Sequence, residues 1–290
     1  MFSDSLSCRV EENVSLAAYS WLRIGGTARY FAEVSTKDDL SMLLADASAS
    51  KLSVRTLGGG SNLLIREGTV DALVLKLSGD FAKIHCAGTS VTSGSAAALG
   101  DLLSVCAEHG LGGLEALAGI PGTVGAAVVS NSGVKNDDIG SRVQKVHAIM
   151  ASGEAKTLTR DDLRFGYRRS NLEGAIITGI KLELEVQPVE EVTRRLQNAW
   201  IVKKATQPPV GDRVAQAFIE PSGTNIAQLL ESAGMKGASE GSALMLTKYP
   251  GYLTINEDAK SDDVLALTSR IAKAVEVQTG IQLQPQLKIW

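Results

Sequence analysis

Two glycine-rich segments constrain the fold of this chain most strongly. The first, TLGGGSNLLI at residues 56–65, places three consecutive glycines directly after a strand-like run. Glycines let the backbone approach a ligand closely, and successive loop amides form a concavity that suits phosphate oxygens. The segment lacks the Gly-Lys-Ser/Thr ending of a Walker A loop, and Leu63 stands where the dinucleotide-binding fingerprint needs a glycine. Two interpretations stay open, a phosphate-binding loop of another class and a tight glycine turn.

The second segment, GGLEALAGIPGTVG at residues 112–125, spaces Gly119, Gly122 and Gly125 by three around Pro121. Each glycine inside a helix would cost about 1 kcal/mol relative to alanine, so a helix is disfavoured here. An extended loop lying against a flat cofactor explains the spacing better. A buried glycine loop without a ligand is the alternative.

The composition is that of an ordinary globular protein and excludes several classes of function. A length of 290 residues exceeds the usual size of a single hydrophobic core, so two domains are expected. The net charge is -3 and no basic stripe is present, which argues against a general nucleic-acid binder. The longest apolar run, residues 110–134, contains several glycines and a proline. We therefore interpret this run as buried loop and strand and not as a membrane span.

The N-terminus and the cysteines predict a compartment. Residues 1–12 contain no basic region followed by an apolar core, so no signal peptide is predicted. The three cysteines are widely spaced and form no CxxC pair. This pattern predicts reduced thiols in a cytoplasmic protein, and no metal site is expected.

Hydrophobic periodicity and turn residues predict an α+β architecture without regular βαβ repeats. Helix signals include Ser261 as the N-cap of the last helix and Gly110 just after the second helix. The stretch TQPPVGDR, at residues 206–213, marks the predicted domain border. Helices are predicted at residues 38–49, 97–109, 190–204, 225–233 and 261–278. Strands are predicted at residues 29–34, 53–57, 72–77, 143–150, 175–186 and 282–290.

Several stretches carry a family resemblance. Residues 21–26 read WLRIGG, residues 57–64 read LGGGSNLL, residues 113–127 read GLEALAGIPGTVGAA, and residues 165–170 read FGYRRS. Together they resemble the UDP-N-acetylenolpyruvoylglucosamine reductases, the FAD enzymes that complete UDP-N-acetylmuramate in peptidoglycan synthesis. The likeness continues in the family's order to the C-terminal tail, so it covers essentially the whole chain.

The resemblance implies an α+β fold with a two-lobed FAD-binding domain of the vanillyl-alcohol-oxidase type, followed by a smaller substrate domain. Residues 1–200 would form the first domain, with lobes of about residues 1–70 and 71–200, and residues 201–290 the second. FAD would be bound non-covalently, and NADPH would be the electron donor. The residues that match the family's cofactor-binding positions are Arg23, Gly25, Gly58, Gly59, Gly60, Ser61, Asn62, Leu63, Gly119, Ile120, Pro121, Gly122, Thr123, Gly125, Asn131 and Ile139.

The resemblance also implies the reaction. The enolpyruvyl group of UDP-N-acetylglucosamine enolpyruvate would be reduced to UDP-N-acetylmuramate, a cytoplasmic step of cell-wall biogenesis that supports cell shape. Arg168 matches the family's catalytic arginine, and its guanidinium fork suits a carboxylate. Tyr167 and Lys248 are assigned to the substrate site, and packing or a supporting role beside the site is the favoured alternative for Tyr167. The partner would be a nucleotide sugar, with no nucleic acid or membrane involved and a monomer favoured.

The sequence departs from the family at its acidic groups. Gln216 stands where the family has the serine that protonates the substrate, and Gln286 where it has an acidic residue. Ile219 replaces a lysine, and Tyr249 replaces a histidine. Candidate substitute acids near these positions are Glu220, Ser222, Glu240 and Ser242.

Three hypotheses follow from this mixture of retained and lost groups. The first is a working reductase with altered acids. The second is an FAD-binding paralogue with impaired or no turnover. The third is a flavin oxidoreductase with a different substrate. Retention of Arg168 and Lys248 favours the first two, and the changes at Gln216 and Gln286 favour the second over the first.

Overall fold

A computed structural model describes residues 2–134, 137–150, 153–209, 211, 213–221 and 223–290, which form two compact units. The first unit takes in the chain up to residue 12 with residues 29–59 and 71–203. The second takes in residues 13–28, 60–70 and 204–290. Residues 13–28 and 60–70, which the sequence assigned to the first lobe, thus lie in the second unit. The division into functional domains at about residue 200 stays a prediction.

The N-terminal half begins with a four-stranded sheet and one helix. Helix α1, Lys37–Ala49, starts after Thr36, whose hydroxyl accepts a hydrogen bond from the Asp39 N–H at 3.2 Å. Its buried Leu40 and Leu43 pack on the buried leucines of a central strand. In sheet order, the strands are Val10–Ser15, Thr27–Val34, Thr69–Leu77 and Ser53–Leu57, of which the last two are parallel.

The rest of the first unit is a five-stranded antiparallel sheet covered by helices. Helix α2, Leu99–Glu108, ends before Gly110, whose φ of 64° is the left-handed conformation expected after a helix. Helices α3, Val124–Val129, and α4, Val189–Thr206, follow. In sheet order, the strands are Ala155–Thr159, Val143–Ile149, Ile176–Glu183, Ser90–Gly94 and Ile84–Ala87.

Helix α3 corrects the interpretation of residues 110–134 as loop and strand only. Gly125 lies in its first turn, and its N–H donates to the Ser95 carbonyl at 2.8 Å. A Cβ on Gly125 would lie 2.8 Å from the Cβ of Ser95. The glycine is therefore explained by the close approach of a short buried helix to the Ser95 backbone, which offsets its poor helix propensity.

The second unit contains a four-stranded antiparallel sheet and two helices. Helix α5, Ile226–Ser232, begins after Asn225, whose side chain accepts the Ala227 N–H at 2.7 Å. Helix α6, Ser261–Thr279, is followed by Gly280 with a φ of 72°. The buried faces of both helices join the sheet in one core. In sheet order, the strands are Val214–Gln216, Tyr252–Ile255, Ala243–Met245 and Ser239–Glu240.

Two predictions for the second unit were wrong in detail. Ser261 is not the N-cap of α6, because Lys260 precedes the helix and Ser261 is its first residue. The Ser261 N–H instead donates to the Glu67 carboxylate at 2.7 Å, and the Ser261 side chain is fully buried. The C-terminal strand, predicted at residues 282–290, is shorter in the structure and comprises Lys288–Ile289, which pairs in parallel with Leu63–Leu64.

Short paired segments and 3-10 turns complete the described fold. None of the helices in the described ranges is both long and apolar enough to cross a membrane. The short strands are Leu111–Gly112 with Glu185–Val186, Gly133–Val134 with Asp137–Asp138, and Phe165–Gly166 with Arg169–Ser170. The 3-10 turns are Ala17–Tyr19, Gly79–Ala82, Glu115–Leu117 and Ile139–Ser141.

Candidate active site

The two glycine-rich segments meet within the first unit. Gly58 and Gly59 follow the strand Ser53–Leu57 directly. A Cβ on Gly59 would lie 2.8 Å from the Cα of Gly122, and one on Gly58 would lie 3.1 Å from the Oγ1 of Thr123. The backbones of the two segments therefore touch at a distance that no larger residue permits.

Two amides without a backbone acceptor among the described residues lie at this contact. The Gly122 carbonyl accepts the Leu99 N–H at 3.0 Å. The N–H groups of Gly59 and Gly122 donate to no backbone carbonyl within the described ranges. Because backbone donors need a partner, two amides at one loop contact provide hydrogen-bond donors for an anion. The arrangement fits the pyrophosphate of FAD, which needs close backbone approach and N–H donors.

Gly119 and Gly122 also need their residue type for conformational reasons. Their φ angles are 70° and 113°, a region that residues with a Cβ rarely adopt. The segment between them is thus irregular backbone and not helix, as the glycine spacing predicted for these residues. The residue after Gly122, Thr123, caps α3 through its Oγ1, which accepts the Ala126 N–H at 3.4 Å.

The Asn131 side chain is buried and forms hydrogen bonds to other groups of the protein. Its Oδ1 accepts the Gly140 N–H at 2.9 Å, and its Nδ2 donates to Asp138 and to the Gly166 carbonyl, both at 2.9 Å. The side chain is buried and its hydrogen-bonding groups are occupied by these partners. Asn131 therefore ties the end of α3 to the hairpin at residues 165–170.

Ile139, another predicted cofactor position, is also explained by the fold. Its side chain is fully buried among the apolar residues of the first unit's larger core. Its N–H donates to the Ser132 carbonyl at 2.9 Å. The Ile139 side chain therefore packs in the core, and a role of this residue in cofactor binding stays a prediction.

The hairpin Phe165–Ser170 presents Tyr167 and Arg168 at its turn. Gly166 pairs with Arg169, so Tyr167 and Arg168 are the two loop residues. Arg168 has a φ of 57°, a left-handed conformation that residues with a Cβ seldom adopt. Tyr167 is 43% exposed, and Arg168 is half-buried. The exposure of Tyr167 excludes a role in core packing and leaves it accessible to a ligand.

In the second unit, the WLRIGG segment packs on the end of the first glycine segment. The Trp21 N–H donates to the Gly60 carbonyl at 3.1 Å, and a Cβ on Gly60 would lie 1.9 Å from the Tyr19 carbonyl oxygen. A Cβ on Gly25 would lie 2.6 Å from the Cβ of Ile65. The structure thus joins two segments that the sequence assigned to one site.

Gln216 and Gln286 are brought together through the backbone. The Gln286 N–H donates to the carbonyl of Ala217, the residue after Gln216, at 2.9 Å. The Gln286 carbonyl in turn accepts the Asn62 Nδ2 at 2.7 Å. Gln286 is 8% exposed, and its Oε1 is buried with no hydrogen-bond partner among the described residues. A buried acceptor of this kind can take a hydrogen bond from a water molecule or from a donor group of a ligand.

Two of the candidate substitute acids have structural partners. The Glu220 carboxylate accepts the Ile226 N–H at 2.8 Å at the start of α5. Glu240 pairs with Arg270 at 2.7 Å. Ser222 lies outside the described residues. Glu220 and Glu240 are thus held by the fold, and neither is free to act as an acid without losing that contact.

Lys248 contacts one of the positions where the sequence departs from the family. Its Nζ lies 5.1 Å from the ring centroid of Tyr249, a cation–π distance. Lys248 itself is exposed. The aromatic residue in place of the family's histidine therefore orients the lysine without neutralising its charge.

A half-buried charge pair that sequence reasoning missed fixes the second glycine segment. Glu115 accepts hydrogen bonds from Arg195 of α4 at 2.7 and 3.1 Å, and from the Gly113 N–H at 2.7 Å. Burial opposes ionisation of Glu115, but these hydrogen bonds outweigh it and keep its pKa below the ordinary value. The available signal was that Glu115 is the one acid inside the apolar run at residues 110–134.

Comparison with known proteins defines the class first. Residues 28–159 match the family model described as FAD binding domain. A cholesterol oxidase from Brevibacterium sterolicum shares the fold over 64% of this chain and 39% of its own, with a TM-score of 0.51 and 14% identity. The chain therefore has an FAD-binding domain of the vanillyl-alcohol-oxidase type, as the resemblance implied.

The particular family follows from matches over the whole length. Residues 207–290 match the C-terminal domain of UDP-N-acetylenolpyruvoylglucosamine reductase. The reductase of Rhodopirellula baltica is 38% identical over 290 residues, covering 100% of this chain and 95% of its own. The crystal structure of the Thermus caldophilus reductase superposes with a TM-score of 0.83 at 31% identity, over 98% of this chain and 99% of its own. The chain belongs to the UDP-N-acetylenolpyruvoylglucosamine reductase family.

Proposed function

We propose that this protein reduces the enolpyruvyl group of UDP-N-acetylglucosamine enolpyruvate to give UDP-N-acetylmuramate, with FAD as cofactor and NADPH as electron donor. The observation that carries the proposal is the family match, which extends over 100% of this chain and includes both the FAD-binding and the C-terminal domain. The cysteines at positions 8, 86 and 106 are free thiols, which supports a reducing, cytoplasmic setting.

The first unit supplies a set of groups for holding the cofactor. The amides of Gly59 and Gly122 would donate to the FAD pyrophosphate, and the turn from Gly119 to Thr123 would follow the rest of the cofactor. When bound, FAD supplies the hydride that the alkene of the substrate receives. The cofactor roles of Arg23, Gly25 and the segment at residues 60–63 stay predictions from the resemblance.

Arg168 is proposed to bind the substrate carboxylate. A guanidinium fork holds a carboxylate by two parallel hydrogen bonds and stabilises negative charge that develops beside it. Its position at a hairpin turn whose base is tied by Asn131 gives the fork a fixed location. Tyr167 and Lys248 are proposed to contact the nucleotide sugar.

The proton that completes the reduction has no evident donor at the two departing positions. The Gln216 and Gln286 amides can donate or accept hydrogen bonds, but they cannot release a proton at neutral pH. The unsatisfied Oε1 of Gln286 suits a donor group of the substrate. The amide side chains at these two positions favour a second candidate function, which is an FAD-binding paralogue whose turnover is impaired at the proton-transfer step.

A pair of stopped-flow measurements tests the proposal. NADPH is first mixed with the oxidised holoprotein, and loss of flavin absorbance reports hydride transfer from the nicotinamide. The reduced protein is then mixed with UDP-N-acetylglucosamine enolpyruvate, and recovery of absorbance reports reduction of the substrate. Formation of UDP-N-acetylmuramate in the second step supports the reductase.

The two candidate functions predict different outcomes. A reductase completes both steps. An impaired paralogue shows normal loss of absorbance with NADPH and little recovery with the enolpyruvyl substrate. A protein that neither binds FAD nor reacts with NADPH would contradict both functions.

A further inference from the structure

Ser170 ends the motif FGYRRS at residues 165–170, and no role in the reaction was predicted for it. It lies on the second strand of the hairpin, opposite Phe165, and is half-buried. Its Oγ donates to the Val129 carbonyl at 2.6 Å and accepts the Leu172 N–H at 3.2 Å. The hydroxyl therefore forms one hydrogen bond within its own segment and one to a separate element.

That separate element is the end of α3, of which Val129 is the last residue. The last carbonyls of a helix have no partner inside the helix and need donors from elsewhere. The carbonyls of Ala127 and Val128 accept N–H groups of the residues that follow α3. The Val129 carbonyl accepts the Ser170 hydroxyl, so the hairpin supplies a donor to the helix end.

Asn131 attaches the other strand of the hairpin to the same place. Its side chain is 2% exposed, and its Nδ2 donates to the Gly166 carbonyl at 2.9 Å. Gly166 and Ser170 flank the turn on its two sides, so both strands are bound to the last residues of α3 or the residues just after it. A two-residue turn between two fixed strands has little freedom, which gives the backbone of Arg168 a defined location.

We propose that Ser170 is a positioning residue, which acts through Arg168 to place the guanidinium for the carboxylate of the enolpyruvyl substrate. The inference rests on the proposed function, in which Arg168 binds that carboxylate. Bidentate binding requires two N–H groups to point at two oxygens, so a small displacement of the hairpin weakens it. Helix α3 begins directly after Thr123, in the turn proposed to follow the cofactor. Ser170 thus attaches the hairpin that carries Arg168 to the helix that begins at this turn.

The test measures ligand binding to the oxidised holoprotein without NADPH, so the result does not depend on turnover. The ligands are UDP-N-acetylglucosamine enolpyruvate and UDP-N-acetylglucosamine, which lacks the carboxylate. Isothermal titration, with displacement for weak binding, gives both affinities for the wild type and for Ser170→Ala, Ser170→Cys and Ser170→Thr. The same changes are made in the Arg168→Ala background. Flavin absorbance and circular dichroism confirm that each variant is folded and loaded.

Ser130→Ala is the matched control. The Ser130 Oγ also donates to a backbone carbonyl at the end of α3, that of Ala126 at 2.8 Å. The hydrogen bonds that its hydroxyl forms in the described structure stay within residues 126–132. The control therefore removes a hydroxyl from the same helix end and leaves the attachment of the hairpin in place.

We expect Ser170→Ala to weaken binding of the enolpyruvyl ligand by about 10-fold, as for the loss of one hydrogen bond to a charged group. Binding of UDP-N-acetylglucosamine should change little, as should both affinities in Ser130→Ala. Ser170→Thr keeps the hydroxyl and should retain most of the affinity, whereas Ser170→Cys, a weak donor, should be intermediate. In the Arg168→Ala background, Ser170→Ala should cause no further loss, because both changes remove one interaction.

The inference is overturned, while the proposed function stands, if folded Ser170→Ala weakens neither ligand or weakens both equally. It is also overturned if the loss persists in the Arg168→Ala background, or if Arg168→Ala itself leaves the enolpyruvyl affinity unchanged. Should Ser170→Ala not fold, Ser170→Cys has nearly the shape of the natural residue, and the same outcomes decide. If the wild type binds neither ligand, the proposed function fails and the inference fails with it.

Discussion

Gly59 and Gly122 are in backbone contact so close that a Cβ on Gly59 would lie 2.8 Å from the Cα of Gly122. This contact joins the end of a parallel strand to the turn that precedes α3. Each of the two residues brings an amide that donates to no backbone carbonyl within the described ranges. The relationship explains why both segments are rich in glycine, since the backbones must approach each other as well as a ligand.

Adding a single methyl group at Gly59 tests whether this backbone contact is needed for FAD binding. We expect Gly59→Ala to lose most bound FAD and to destabilise the fold by about 1–3 kcal/mol, the usual cost of overpacking. Gly100→Ala is the matched control. Gly100 lies in α2 with nothing within 4 Å of its Cβ position, and neither glycine has a positive φ. The control should keep its FAD. The measurements are the ratio of flavin to protein absorbance after gel filtration and thermal unfolding, and full flavin retention in Gly59→Ala contradicts the proposed contact.

The sequence predicted the elements whose signals are local. Helix α2 and its terminating Gly110 follow from helical spacing and a glycine stop, and both are present. Helix α3 was not predictable, because six residues containing glycine and β-branched valines show no helical period. The prediction of Ser261 as an N-cap was wrong because its N–H and hydroxyl both donate to the carboxylate of Glu67, which is distant in the chain. Tertiary contacts decided both cases.

The candidate site also contains residues that local motifs indicate and residues whose roles depend on tertiary contacts. The glycines and Arg168 were assigned by motif, and the structure places Gly59 and Gly122 in contact. Asn131 matched a motif too, yet its side chain is held by protein partners, since hydrogen bonding depends on neighbours that a motif does not show. Lys203, in the last turn of α4, belongs to no motif. Its closeness to Gly119 depends on how α4 packs, which the sequence does not show.

The half-buried pair of Glu115 and Arg195 predicts a pH-dependent stability. The pKa of Glu115 is below its ordinary value in the folded state, so its contribution is present above that ordinary value and is lost as the pH falls through the lowered pKa. We expect Glu115→Gln to cost about 2 kcal/mol at pH 7, typical of hydrogen bonds to a charged group. The difference from wild type should shrink towards pH 3. Urea unfolding at several pH values measures it.

A neighbouring carboxylate provides the control for this prediction. Glu191 pairs with the same Arg195 at 2.9 Å, but its side chain is 49% exposed against 15% for Glu115. Surface pairs contribute about 0.5 kcal/mol, so Glu191→Gln should have a small effect at every pH. Equal effects of the two substitutions at pH 7 would show that burial of Glu115 is not what matters.

Cys106 should be chemically inert in the native protein. Burial raises the pKa of its thiol to about 12, with smaller contributions from Cys86 and Glu115. The raised pKa keeps the thiol protonated, so at pH 8 only about one molecule in 10⁴ carries the reactive thiolate. We expect a disulfide reagent such as dithiobis(nitrobenzoate) to modify Cys8 and Cys86, which are half-buried, before Cys106. The slowest phase should disappear in Cys106→Ala, and its persistence there would assign it to another cysteine.

The two glutamines at the predicted catalytic positions set up the final prediction. Gln216 and Gln286 lie close together, because the Gln286 N–H donates to the carbonyl of Ala217, the residue after Gln216. Ala215 lies in an extended strand opposite Leu253. No glycine is needed there to restore a serine at the next residue.

We expect the double change Gln216→Ser with Gln286→Glu to accelerate reduction of the enolpyruvyl substrate. A positioned general acid contributes roughly 10²–10⁴-fold, and neither amide of the natural chain can provide it. The Gln286 side chain is nearly buried, so a glutamate there would be desolvated, which raises its pKa and favours the protonated form.

Stopped-flow recovery of flavin absorbance measures the effect. The rate increase in the double variant should exceed the product of the two single increases, because both groups serve one proton transfer. Gln216→Ala with Gln286→Glu controls for the hydroxyl. Fast recovery in the unmodified protein would refute the prediction, because it would show that another group of the chain already supplies the proton.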